Sequence, residues 1–186
     1  FRGIAEFSDG TLITNNMVVA MNGEEAAFYD VLTTLRDGQV LAEQATENDQ
    51  ISVYQGKDCA LVSGTAKKTK DKHSGTFYVY YLTAMNQAFE TLWRKEFTDE
   101  EFRIQGVAHA PDGYFAYGLV EEQETGRRNS LPAVMKLTDT GDIIWSNHIM
   151  SSYIAFYTDA VLLADGGLLA VGQYTMEEAA ATDAAA

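Results

Sequence analysis

HAPDGYFAYG, residues 109–118, is an apolar segment, an Asp-Gly turn and a second apolar segment that stops on a glycine. LADGGLLAVG (163–172) matches it, and YQGKDCALVSG (54–64) matches it more loosely. The closing glycines Gly64, Gly118 and Gly172 stand 54 residues apart at both steps. A second landmark keeps nearly the same period: Trp93 closes ETLW, and Trp145 closes DIIW 52 residues later. Self-similarity at a fixed period of this length marks a repeat architecture, in which each unit hides its apolar faces against its neighbours. FSDGTLITN (7–15) fits the same element, with Asn15 where the others carry glycine.

The remainder falls into register around these landmarks. After a variable polar loop comes an apolar strand, FYDVLTTL (28–35), FYVYYLTAM (77–85) or PAVMKL (132–137). A turn follows, RDG (36–38), NQA (86–88) or TDTG (138–141), and then a last strand, QVLAEQA (39–45), ETLWRKEF (90–97) or DIIWSNHI (142–149). Asp-Gly and Thr-Gly between apolar runs are hairpin signals, because a tight turn needs a residue at ease with positive φ. Each unit therefore reads as four short strands, a, b, c and d. Four-stranded units at this period predict an all-β fold, a β-propeller with four-stranded antiparallel blades. The blades are expected at 1–49, 50–101 and 102–151, with a half blade at 152–175 and an Ala-rich tail at 176–186. About three and a half blades cannot close a ring. The chain is therefore expected either to be part of a six- to eight-bladed protein or to close one ring with a second copy.

Strand faces alternate, so either Ile144 or the pair Ile143 and Trp145 should face an adjacent blade. A tryptophan there covers the joint with a large apolar area. A stacking platform for a sugar or base is the alternative. The stretches ADGGLLAVG (164–172) and VMKLTDTGDIIWSNHI (134–149) resemble bacterial β-propeller repeats of secreted and cell-surface proteins. TDTGDIIW is also similar to the Asp…Thr-Gly-x-x-x-Trp signature of pyrroloquinoline-quinone-type propellers, where the tryptophan docks adjacent blades. The chain departs from that pattern at three places. Ala42 is near the tryptophan's place in unit one, unit two has no glycine at its c–d turn, and the spacing before Thr140 is shorter. The resemblance implies a propeller scaffold, an extracytoplasmic setting and, for the quinone type, a quinone cofactor.

Composition narrows the functional classes. The chain has 186 residues, 46% hydrophobic and 22% charged, with a formal net charge of −14. That makes it globular rather than disordered. A field of this sign repels nucleic acid and anionic membranes. No apolar run approaches the roughly 18–20 residues that span a bilayer. The sequence shows no signal peptide and starts within a strand pattern, as a processed piece would. Its single cysteine, Cys59, cannot form an intrachain disulfide, and its apolar surroundings in CALVSG suggest a buried core residue rather than a nucleophile.

Chemistry-bearing patterns are sparse. His73, His109 and His148 lack metal-ligand spacing, and there is no HExxH, CxxC, GxSxG or phosphate-binding glycine loop. Asp139 and Asp142 flank Gly141 and could ligate calcium, but turn chemistry suffices for them, as it does for Asp112 and Asp165. The b–c loops hold the cations. AKKTKDKHSG carries Lys67, Lys68, Lys70 and Lys72, and EEQETGRRNS carries Arg127 and Arg128. Equivalent loops of successive blades project from one face, so these six residues either form a cationic ligand face or are solvated hairpin tips diluted by Asp71, Glu121, Glu122 and Glu124. The unit-one loop, NNMVVAMNGEEAA (15–27), is apolar instead, and either extends strand b or packs on a partner. The expected function is a non-catalytic, extracytoplasmic binding or scaffold module for a protein or glycan partner. The alternative is the propeller portion of an enzyme, quinone-dependent or carbohydrate-active. The a strands lend that alternative few acids, Glu6 and Asp159.

Overall fold

A computed structural model describes residues 3–22, 25–46, 49–69, 76–98, 101–124, 127–148 and 154–175. These residues form four separate antiparallel sheets. The first contains β1 (Ile4–Glu6), β2 (Leu12–Asn22), β3 (Glu25–Arg36) and β4 (Gln39–Ala45). The second contains β5 (Asp49–Gln55), β6 (Ala60–Thr69), β7 (Thr76–Met85) and β8 (Thr91–Thr98). The third contains β9 (Arg103–Ala110), β10 (Gly113–Glu124), β11 (Arg127–Leu137) and β12 (Ile143–His148). The last contains β13 (Ile154–Leu162) and β14 (Leu168–Thr175). Each four-stranded sheet is a simple meander in which every strand pairs with the next in sequence. The Ala-rich tail, Lys70, Lys72 and His73 lie outside the described residues. Among the described residues no helix is long and apolar enough to cross a membrane.

The sheets meet face to face, with their first strands gathered together: β1 contacts β5, β5 contacts β9, and β9 contacts β13. Period-two alternation then gives a sheet two apolar faces, each with its own neighbour. Ala5, Ile13 and Leu32 of the first sheet close on Val53, Val62 and Tyr81 of the second. On the opposite face of the second sheet, Leu61, Leu82 and Ala84 close on Tyr114, Ala116 and Met135 of the third. Tyr117 of the third sheet meets Tyr157 of the fourth edge-on, with ring centroids 6.4 Å apart. Burying each of the Ile, Leu, Val and Met side chains among these is worth about 1.5–3 kcal/mol, so each of the first two joints is a small core of its own. The fourth strands stand outside. β4 and β12 are exposed along their whole length.

The closing glycines have a clear cause. Opposite each of them the first strand of the sheet slips by a residue or two. Gln50 and Ile51 bulge opposite Gly64, Gln105 is extra beside Gly118, and Thr158 is extra beside Gly172. A bulge pushes one backbone into the space of its partner, and only glycine leaves that space empty. A Cβ on Gly118 would run into the Arg103 carbonyl, and one on Gly172 into that of Phe156. The first sheet corrects the sequence alignment. Leu12, Ala60 and Tyr114 open their b strands opposite Leu35, Met85 and Leu137, and four residues on Asn16, Gly64 and Gly118 face Val31, Tyr81 and Ala133. The glycine equivalent is therefore Asn16, not Asn15. Five residues separate the pair Glu6 and Leu12, whereas four separate Gln55 and Ala60. The pairing of β1 starts at Ile4 with Thr14, so no bulge presses on Asn16 and a side chain fits.

Asn15 has another task. The bulge takes the Ile51 backbone out of the ladder, and the first sheet supplies its partners. Asn15 Nδ2 donates to the Ile51 carbonyl at 3.0 Å, and the Ile51 amide donates to Asp30 Oδ2 at 3.0 Å. Buried backbone groups left unpaired would each cost about 1–3 kcal/mol, which explains why Asn15 and Asp30 are buried in this joint. The MVVAM segment is strand extension: β2 runs on through it, with Val19 opposite Phe28 and Met21 opposite Ala26.

Candidate functional site

The cation-bearing segments are hairpin ends rather than loops. Lys67 and Lys68 lie on β6 opposite Tyr78 and Phe77, and Arg127 and Arg128 begin β11 opposite Glu124 and Gln123. Lys68 forms an ion pair with Glu96, which also accepts from Arg94 Nε at 3.0 Å. The Lys68 hydrogen bond, aided by Arg94, holds the Glu96 carboxyl below the usual carboxylate range. Lys68 is thus committed within its own sheet.

The acidic turn residues are occupied in turn and joint chemistry. Asp165 Oδ1 accepts the Gly167 amide at 2.9 Å, and Asp142 Oδ2 accepts the Thr140 hydroxyl at 2.9 Å. Asp139 takes the Lys57 ammonium of the neighbouring sheet at 3.1 Å, and Asp112 takes Lys136 at 2.6 Å. Among the described residues no group of three or more His, Cys, Asp or Glu is arranged to hold a metal ion. Cys59 is buried in the core between the second and third sheets, its Sγ 3.6 Å from Tyr114 Oη. Burial raises both its pKa and that of Tyr114, which suits a packed thiol and not a nucleophile.

The tryptophans define the most informative geometry. Ala42, Trp93 and Trp145 hold one position, opposite Thr34, Ala84 and Lys136. Trp93 reaches from the second sheet to the turn between β11 and β12 of the third. Its Nε1 donates to the Asp139 carbonyl at 2.8 Å, and its ring lies against Gly141 and beside Tyr114. Gly141 has φ +82, and a Cβ there would come within 2.6 Å of the Trp93 ring. Only glycine meets both demands.

Trp145 stands at the same position one sheet later, and its surroundings are open. Its ring packs on Phe115, with centroids 6.0 Å apart, and it is 44% exposed. Beside it runs a groove of about 570 Å³ between the third sheet and the last, lined by Trp145, Phe115, His148, Tyr157 and the β14 residues Leu168 to Ala170. The last sheet has two strands among the described residues, so the groove runs along the edge of β14 that faces away from β13. The outward face of that sheet is equally bare: Val161, Leu169 and Val171 are each at least 51% exposed. Their counterparts in the third sheet, Phe115 and Tyr117, are buried against the next sheet. The sequence shows Trp145 and the half unit. It does not show that Phe115, His148 and Tyr157 share a groove, since that depends on which face each strand presents.

Neither the protein-family models nor the curated proteins include a match to this chain.

Proposed function

We propose that the chain is a partial β-propeller acting as a non-catalytic binding and scaffold module, and that its last sheet is completed by a β-hairpin from further blades of the same fold. One observation carries this reading. The joint between the second and third sheets is the occupied form of the groove at Trp145. There a c–d hairpin fills the space, and its turn receives the tryptophan N–H. An open strand edge beside an apolar groove is the usual setting for strand addition, with main-chain hydrogen bonds giving affinity and the aromatic pocket giving register. The stacked meanders with gathered first strands support the propeller geometry. The resemblance to secreted and cell-surface repeats supports an extracytoplasmic setting, in which the exposed hairpin tips would face a protein or glycan partner.

Light scattering on the 186-residue chain tests the reading. The open edge predicts concentration-dependent association that falls when Leu169→Lys and Val171→Lys are introduced together. A chain that stays monomeric and unaffected by those changes refutes it.

A further inference from the structure

The joint between the first two sheets is built differently from the next one. Where the second sheet presents Trp93 and Phe97 to its neighbour, the first presents Ala42 and Thr46, at the equivalent places on its outer strand. Tyr81 and Arg94 of the second sheet take up part of the room, and the guanidinium lies 4.1 Å from the centroid of the Tyr81 ring. The remainder is a groove of about 290 Å³ lined mainly by polar groups, among them Gln44, Thr46, Thr83 and Arg94. Two observations separate it from a gap in the packing. Thr83 is 1% exposed, yet its Oγ1 has no hydrogen-bond partner, a state that costs about 1–3 kcal/mol unless something else bonds it. And Arg94, which lines the groove, shares the carboxylate of Glu96 with Lys68, so two cations are paired with one anion. The buried carboxylate of Asp30, beside Thr46, is committed to the Ile51 amide.

We infer that this groove binds a small hydroxylated carboxylate of sugar-acid size, its carboxylate on the Arg94 guanidinium and a hydroxyl on Thr83 Oγ1. The volume lies at the lower limit of small-molecule sites and admits one monosaccharide ring. A guanidinium already stacked on an aromatic face is preorganised to take a carboxylate. The inference does not depend on how the last sheet is completed.

Titration of the full chain with sodium glucuronate, followed by backbone amide NMR, tests it. The expected result is a saturable set of shifts confined to the two facing sheets around Gln44, Thr83 and Arg94, with Kd on the order of 1 mM. Thr83→Val should weaken binding about fivefold, and Arg94→Gln tenfold or more. Thr46→Phe, which restores the side chain found at Phe97, should fill the groove and abolish the shifts. Neutral glucose should bind at least about tenfold more weakly than glucuronate. The inference is overturned if glucuronate produces no saturable shifts, if Thr83→Val and Arg94→Gln bind like wild type, or if sodium sulfate gives the same shifts. If Thr46→Phe loses its native spectrum, Thr83→Val and the glucose comparison decide.

Discussion

The Trp93–Gly141 contact should behave as one energetic unit, and a double-mutant cycle measures it. Gly141→Ala places a Cβ at φ +82, costing about 1–2 kcal/mol in backbone strain. The same Cβ comes within 2.6 Å of the Trp93 ring, and moving a packed ring costs a further 1–3 kcal/mol or so. Trp93→Ala removes a partly buried indole and its hydrogen bond to the Asp139 carbonyl, together about 2–3 kcal/mol. With the ring gone, Gly141→Ala keeps only its backbone cost. The double variant should therefore be more stable than the sum of the singles predicts, by about 1–2 kcal/mol. Urea unfolding followed by far-ultraviolet circular dichroism reads this without relying on tryptophan emission. Additivity within about 0.5 kcal/mol would mean that the ring does not rest on Gly141, and the docking geometry would be wrong.

Two other outcomes are expected. Ala42→Trp and Phe89→Gly should each destabilise alone, while the pair together should recover at least about 1 kcal/mol in urea unfolding, because the pair recreates the Trp93–Gly141 arrangement one joint earlier; a double variant no better than the worse single would refute the equivalence. Burial, with the Asp159 carboxylate adding to it, pushes the Tyr117 phenol up to about 12. An acid whose folded pKa is raised contributes stability that is complete below its unfolded value of about 10 and lost as pH climbs toward the folded one, so the urea midpoint should fall between about pH 10 and 12, and less steeply in Tyr117→Phe. An unchanged slope in that variant would show that the phenol is not buried.

The strand plan was legible because two local signals agreed, the apolar alternation and the glycines at turns. The unit period survived even where a single residue was misaligned, as at Asn15 and Asn16. The extent of the hairpins was not legible. Lys67 and Lys68 read as loop because charged residues look like loop, whereas toward the end of this hairpin both lie exposed on a paired strand, where a charged side chain is tolerated. The turn at NQA was read from the sequence, but its left-handed position was not. Phe89 adopts φ +62, where an aromatic residue is an outlier, and closes the same pair of hydrogen bonds as Gly141. Of the six cations expected to form one face, Lys70 and Lys72 lie outside the described residues, and Lys67, Lys68, Arg127 and Arg128 are placed along the ends of two hairpins. The two grooves were invisible, because each is defined by what the neighbouring sheet lacks. The polar one arises where Ala42 and Thr46 replace bulk, and its signal was present only as a departure from the repeat.

The two departures in the first joint, no tryptophan at 42 and no glycine at 89, are one departure. Gly141 is bare because an indole lies on it, and Phe89 carries a ring that packs into its own joint because Ala42 sends none. A joint thus pairs a position on one sheet's outer strand with a position at the next sheet's turn, and the two joints use different pairs. If the first sheet docked on the third, Ala42 would leave a hole over Gly141. If the second docked on a copy of itself, Trp93 would meet Phe89. Chains built from similar units are prone to join the wrong neighbours while folding. Here the mismatch at these two wrong junctions acts against that error, so the order of the first three sheets is favoured by side chains as well as by the order of the chain.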